Sequence, residues 1–139
     1  MTCPPIVKVG LALLKDGRLL LARNRGAEPF QIPGGKVEPD DADDPSALAR
    51  EIKEELGVVL DQASLASLGC FAAPAAGKPG RVVEIRLYRG EILGEPAPRG
   101  EVDTLAWLDL DTPGDLPVTD VVRTQIIPFL RAEQVREMG

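Results

Sequence analysis

Between Pro45 and Gly57 the chain reads as a helix with both ends marked, and one side of that helix is crowded with acid. Pro45 suits a first helical turn, where its missing N–H costs nothing. Asp44 before it is positioned as the N-cap, and Gly57 stands where a helix C-terminus needs a left-handed residue. The spacing predicts a helix over 45–56. Leu48, Ile52 and Leu56 recur at i, i+4 and i+8, an apolar stripe that commits the helix to a buried core. Glu51, Glu54 and Glu55 follow at i, i+3 and i+4 and share one face. Like charges at those spacings cost an isolated helix roughly 0.2–0.5 kcal/mol per pair, and within the helix only Arg50, four residues before Glu54, offsets this. A solvated charged face is the ordinary outcome of such a pattern. The functional alternative is a set of hard oxygen donors, of which Mg²⁺ takes a few alongside waters and substrate phosphates.

What the chain lacks narrows the chemistry. It has 139 residues and no His, so Ser-His-Asp and Cys-His relays and His-ligated zinc are excluded. Catalysis must rest on carboxylates, Lys, Arg, Tyr, Cys or a metal. With 22 acidic against 16 basic residues the net charge is −6, which disfavours a nucleic acid polymer as partner. Aromatics at 4% deny it a base-stacking platform. An acidic cluster approaches a small phosphate compound only with divalent cations between them. Cys3 and Cys70 form no C-x-x-C and are expected to be reduced. Residues 1–14 show neither a basic n-region nor a long apolar h-region, so the expected location is the cytoplasm, with no membrane partner.

The length fits one domain over residues 1–139. Apolar residues 6–14 and 18–23 flank the turn Lys15-Asp16-Gly17 and predict a β-hairpin. Phe30-Gln31-Ile32 is a third short strand, stopped by Pro33-Gly34-Gly35, and Asp-rich residues 38–45 form a loop. Runs at 64–72, 81–89 and 102–108 read as strands, with Val83, Ile85 and Leu87 alternating against Glu84 and Arg86. Thr119 to Arg136 reads as a helix that Pro128 kinks or splits. The expected architecture is an α/β/α sandwich with a mixed β-sheet, the 45–56 helix on one side and the last helix on the other.

The residues around the acidic face weigh against a merely solvated one. Arg50-Glu51-Ile52-Lys53-Glu54-Glu55-Leu56-Gly57-Val58 satisfies R-E-aliphatic-x-E-E-x-G-aliphatic. By average residue usage this arises by chance on the order of once in ten million windows. The segment from Gly35 to Val58 resembles the box of the Nudix hydrolase family, G-x5-E-x7-R-E-U-x-E-E-x-G-U with U aliphatic. The resemblance extends to Arg23-Asn24-Arg25, to Phe30-Gln31-Ile32-Pro33-Gly34-Gly35-Lys36, and to Glu101 and Trp107 as a late Glu-x5-Trp. Length and element order are similar to those of the small MutT-like members. One departure stands out: the isolated Glu of the box falls on Asp41, and eight residues separate it from Arg50. In the family that Glu braces the loop against the motif Arg.

The resemblance implies Glu51, Glu54 and Glu55 as ligands of Mg²⁺ or Mn²⁺, with the Gly34 carbonyl as a backbone ligand. It makes Arg50 the residue that orients the carboxylates, and Glu54, Glu55 and Glu101 the acidic groups at the chemistry. Arg23, Arg25 and Lys36 lie on segments expected to converge on the Gly34-Gly35 turn and to hold phosphate oxygens. Asp120 falls where MutT-like proteins often place a base-reading side chain. The implied reaction is metal-dependent hydrolysis of a nucleoside diphosphate linked to a group X, with a nucleoside or deoxynucleoside triphosphate first, giving monophosphate and pyrophosphate. Pro74, 16 residues past Val58, keeps ADP-ribose or a nucleotide sugar as the alternative, and a non-catalytic nucleotide-binding module is a third. The oligomeric state is open, a homodimer among the options.

Overall fold

The computed structural model describes residues 5–75 and 77–138; Cys3 lies outside them. Strands β1 (Ile6–Ala12), β2 (Leu14–Lys15), β3 (Arg18–Asn24) and β4 (Gly34–Lys36) precede helix α1 (Asp44–Leu56). Strands β5 (Val59–Pro74), β6 (Val82–Leu93) and β7 (Val102–Asp109) follow, and a π-helical turn, Val122–Ile126, leads into helix α2 (Ile127–Met138). One sheet has the order β4-β1-β6-β5 and the other β2-β3-β7. The first is mixed: β1 runs parallel to β6 and antiparallel to β4, while β5 and β6 are antiparallel.

Alternation along the central strands divides the core in two. Val9, Leu11 and Leu20 pack with Ala47, Leu48, Ile52 and Leu56 of α1. Leu19, Leu21, Ile85 and Leu87 pack with Val122, Ile126 and Leu130. Helix α1 therefore covers one side and the C-terminal helical segment the other, the α/β/α sandwich expected. Leu48, Ile52 and Leu56 are fully buried, each worth roughly 1.5–3 kcal/mol of burial.

The local signals at α1 hold with one shift. Gly57 takes φ 69° and donates its N–H to the Lys53 carbonyl. The N-cap is Asp43 rather than Asp44: Asp43 is extended, and its carboxylate accepts the Ser46 N–H at 2.9 Å. Asp44 is drawn across the fold instead, accepting from Arg86 at 2.7 and 2.9 Å and from the Tyr88 hydroxyl at 3.0 Å, which pins the start of α1 to β6.

Two expectations about the strands are corrected. The Asp16-Gly17 turn joins Leu14-Lys15 to Arg18-Leu19, with one more bond from the Leu20 N–H to the Leu13 carbonyl, and the pairing stops there because β1 leaves for the other sheet and pairs with β6 along its whole length. A strand apolar on both sides is suited to the middle of a sheet covered on both faces. Phe30–Ile32 contributes only isolated bridges, Ala22 to Gln31 and Phe30 to Val118, whereas Gly34-Gly35, expected as a stop, is itself strand. The helical segment divides just before Pro128, as the proline implied: a π-helical turn, in which Ile127 N–H reaches back to the Val122 carbonyl, gives way at Ile127 to α2. No helix among the described residues is long and apolar enough to cross a membrane.

Candidate active site

The β4 backbone approaches β1 so closely that a side chain has no room. A Cβ on Gly34 would stand 2.0 Å from the Val9 carbonyl oxygen, and Gly34 takes φ 146°, a value L residues rarely adopt. A Cβ on Gly35 would stand 2.5 Å from the Glu51 carboxyl group, so this glycine leaves the space that carboxylate fills. The Gly34 N–H donates to Glu55 Oε1 at 3.1 Å. Two of the three helix carboxylates are thus set against a glycine strand, while the Glu54 side chain is 59% exposed.

Arg50 ties this arrangement together. Its Nε and Nη2 donate to both oxygens of Asp41 at 3.1 and 2.8 Å, its Nη1 to Glu51 Oε1 at 2.8 Å, and its Nη2 also to the Lys36 carbonyl at 3.2 Å. The shorter Asp on a loop one residue longer therefore reaches the motif arginine in bidentate fashion. The Arg50 hydrogen bond, followed by the Glu38 N–H, holds the Asp41 carboxyl below its usual range.

Removal from water dominates the electrostatics of the other two acids. Burial pushes the Glu55 carboxyl up to about 7, the Gly34 N–H opposing and the Glu51 charge adding. Burial also raises Glu51, with Arg50 opposing. Among the described residues no three acidic or cysteine side chains close into a preformed metal cage. The donors are all oxygens on one open helix face, with Gly35 leaving room for one of them, and this suits a hard cation that retains waters and substrate oxygens.

Glu101 is brought to the same end of α1 by a device the helix signals did not reveal. The Ala97 N–H donates to the Leu56 carbonyl at 3.0 Å and the Arg99 N–H to the Glu55 carbonyl at 2.9 Å, satisfying carbonyls that a helix end leaves open. Glu101 is exposed just beyond, its carbonyl accepting the Arg25 N–H at 2.7 Å.

The basic candidates divide. Lys36 is on β4 beside Gly34 and Gly35 and lines a cavity of about 140 Å³ with them. Arg23 and Arg25 do not line it. Arg23 donates to Thr104 Oγ1 at 3.1 Å, pairs with Asp103 at 3.7 Å and lies over the Phe30 ring, because β3 is bonded to β7 in the other sheet. Arg25 is exposed and enters the site only through its backbone. Asp120 is also off the cavity: Thr119 and Val121 line it, while the exposed Asp120 borders a shallow depression with Glu28 and Pro29. The sequence reading missed Lys8, Gln31, Lys78 and Thr119 as lining residues. A lysine inside the apolar run Ile6-Val7-Lys8-Val9 was the available signal. Among the described residues no aromatic ring lines the cavity; Phe71 meets Phe129 edge-on, Tyr88 binds Asp44, and Trp107 is exposed on β7.

The NUDIX domain model matches residues 4–128. The chain belongs to the Nudix family. The crystal structure of a MutT NUDIX hydrolase from Burkholderia pseudomallei is 30% identical, with 89% of this chain and 95% of that one covered and a TM-score of 0.70. The solution structure of the E. coli ORF135 protein is 24% identical, covering 94% and 89% at a TM-score of 0.68. A UDP-X diphosphatase is 19% identical, covering 98% and 66% at 0.74. The last two speak for the fold alone. Among curated protein sequences there is no significant match. As a Nudix protein of MutT-like type, the chain is a hydrolase of phosphoanhydride bonds, acting on compounds in which a nucleoside diphosphate is linked to a further group.

Proposed function

We propose that this Nudix hydrolase cleaves a nucleoside or deoxynucleoside triphosphate to the monophosphate and pyrophosphate, with Mg²⁺ or Mn²⁺ held by Glu51, Glu54, Glu55 and the Gly34 carbonyl. The observation that carries the reading is the setting of Glu51 and Glu55 against the Gly34-Gly35 strand, with Glu54 facing out beside them. When bound, the cation neutralises phosphate charge and polarises phosphorus. Arg50 fixes the Glu51 carboxylate and ties it to the Asp41 loop, so the donors are positioned before substrate arrives. Water attacks one phosphorus, a carboxylate among Glu54, Glu55 and Glu101 takes its proton, and the bridging P–O bond of the anhydride breaks, releasing pyrophosphate and the nucleoside monophosphate. Lys36 holds phosphate oxygens beside Gly34. Arg23, engaged with Thr104 and Phe30, and Asp120, outside the cavity, are not supported as substrate contacts by their surroundings.

A panel of nucleotides with Mg²⁺, assayed for phosphate with and without inorganic pyrophosphatase, tests this. Phosphate that appears from a triphosphate only with pyrophosphatase is the expected result. Nucleoside monophosphate from ADP-ribose, with triphosphates inert, would replace the triphosphate by the other substrate class.

A further inference from the structure

Helix α1 carries an acid at each end of the stripe it turns to the sheet. Asp44, Leu48, Glu51 and Glu55 follow at i, i+4, i+7 and i+11, so they share one face, and Leu48 within it is fully buried. At the start of the stripe the Asp44 carboxylate is 19% exposed and accepts two hydrogen bonds from Arg86 and one from the Tyr88 hydroxyl. An acid in a first helical turn is already favoured by the helix dipole and needs no partner to sit there. The capping role, moreover, belongs to Asp43. Nor does stability explain the pair: with the Arg86 side chain 42% exposed, solvent screens most of its worth.

The register of the sheet gives the pair its meaning. Arg86 on β6 stands opposite Val9 on β1, and Val9 opposite Gly35 on β4, one row across three adjacent strands and about 10 Å from end to end. Helix α1 is tied at both ends of this row, Asp44 by Arg86 and Glu51 in the space left at Gly35. Between the ties, the apolar contacts of Leu48 hold α1 to the sheet without directing it. The charge-assisted bonds to Asp44 are directional. We propose that Arg86, with Tyr88, is a positioning residue for the acidic face: through Asp44 it fixes where α1 lies on this row, and so keeps Glu51 at Gly35 and Glu55 on the Gly34 N–H. Its bearing on hydrolysis rests on the reading of Glu51 and Glu55 as cation donors; the placement itself does not.

The placement is read without metal. In EDTA, hydrogen exchange of the Gly34 amide, which donates to Glu55, is compared by NMR with that of the Gly57 amide, which donates to Lys53 at the end of α1. In Arg86→Met and in Asp44→Asn the Gly34 amide is expected to exchange roughly fivefold faster or more while Gly57 keeps its rate, the pattern of a displaced helix rather than a frayed one. Arg86→Lys returns one donor and is expected to recover part of the protection. With Mg²⁺, the Met and Asn variants are expected to need roughly tenfold more cation for half-maximal hydrolysis, with the nucleotide KM at saturating cation unchanged. Arg89→Gln is the control: Arg89 lies on the same strand and is as exposed, but pairs with Glu137 of α2, so neither readout should move. Wild-type Gly34 protection in Arg86→Met, equal acceleration at Gly57, an equal effect in Arg89→Gln, or a Gly34 change that leaves the Mg²⁺ requirement at wild type would overturn the proposal. A wild-type protein that cleaves no nucleotide, with the Gly34 effect intact, would uphold the placement by Arg86 while removing the reading of Glu51 and Glu55 as donors.

Discussion

Replacing Glu55 by Gln in the metal-free protein isolates the cost of assembling the acidic face. Burial raises this carboxyl from 4.5 to about 7 in the folded chain. Below pH 4.5 both folded and unfolded chains hold the proton and the residue has no effect on stability. Between 4.5 and 7 the unfolded chain releases its proton while the folded chain retains it, so stability falls as pH rises and the full penalty is present above 7. A shift of that size corresponds to at most about 3 kcal/mol. The Gln amide oxygen still accepts the Gly34 N–H, so the variant keeps the contact and loses the penalty. Glu51, raised by the same burial, slopes in the same direction in both proteins, and because its charge also raises Glu55, the repulsion relieved in the variant adds to the difference with the same sign. Asp41 works the other way: its lowered carboxyl stabilises the fold above pH 3.8, and that contribution is lost only as pH falls further, outside the Glu55 window. Thermal melting in EDTA from pH 4 to 8 is the assay. Glu55→Gln is expected to match wild type at pH 4 and to melt roughly 5–10 °C higher at pH 8. A difference independent of pH, or a variant less stable at pH 8, would refute the burial argument.

The two glycines of β4 should respond differently. Gly34→Ala drives a Cβ into the Val9 carbonyl and is expected to cost several kcal/mol in urea unfolding. Gly35→Ala meets only the end of the flexible Glu51 side chain, so unfolding should change by about 1 kcal/mol or less while the Mg²⁺ concentration for half-maximal hydrolysis rises. Asp41→Asn removes the charge that Arg50 grips with two nitrogens, and is expected to raise the same half-maximal Mg²⁺ concentration while the melting profile keeps its shape.

Signals that act within a few residues were legible in the sequence. Gly57 ends α1 because its left-handed backbone is a local requirement, and the stripe of Leu48, Ile52 and Leu56 is buried because helical spacing alone puts those residues together. Signals that depend on a partner far along the chain were not. The cap fell on Asp43 because Asp44 had a better partner in Arg86, 42 residues away. The hairpin shortened because β1 found β6, and Gly34-Gly35 became strand because β1 presents Gly10 and the Val9 carbonyl at close range. The site divides along the same line. The Arg50 to Val58 pattern marked the carboxylates, whereas the cavity lining of Lys8, Gln31, Lys78 and Thr119 arises from four separate segments. Arg23 and Asp120 carried suitable chemistry, but sheet pairing and helix start turned them elsewhere.

The claim on which the account stands is that the exposed acid of α1 serves the reaction and is not surface charge. Glu54→Gln keeps size and hydrogen-bonding capacity and removes one charge from a side chain that is 59% exposed, so hydrolysis of a responsive nucleotide across a Mg²⁺ titration tests it directly. The expected result is lower maximal turnover and a higher Mg²⁺ requirement, with metal-free melting close to wild type, because the like-charge repulsion relieved is offset by loss of the 3.7 Å Arg50 pair. Wild-type turnover at every Mg²⁺ concentration would contradict it.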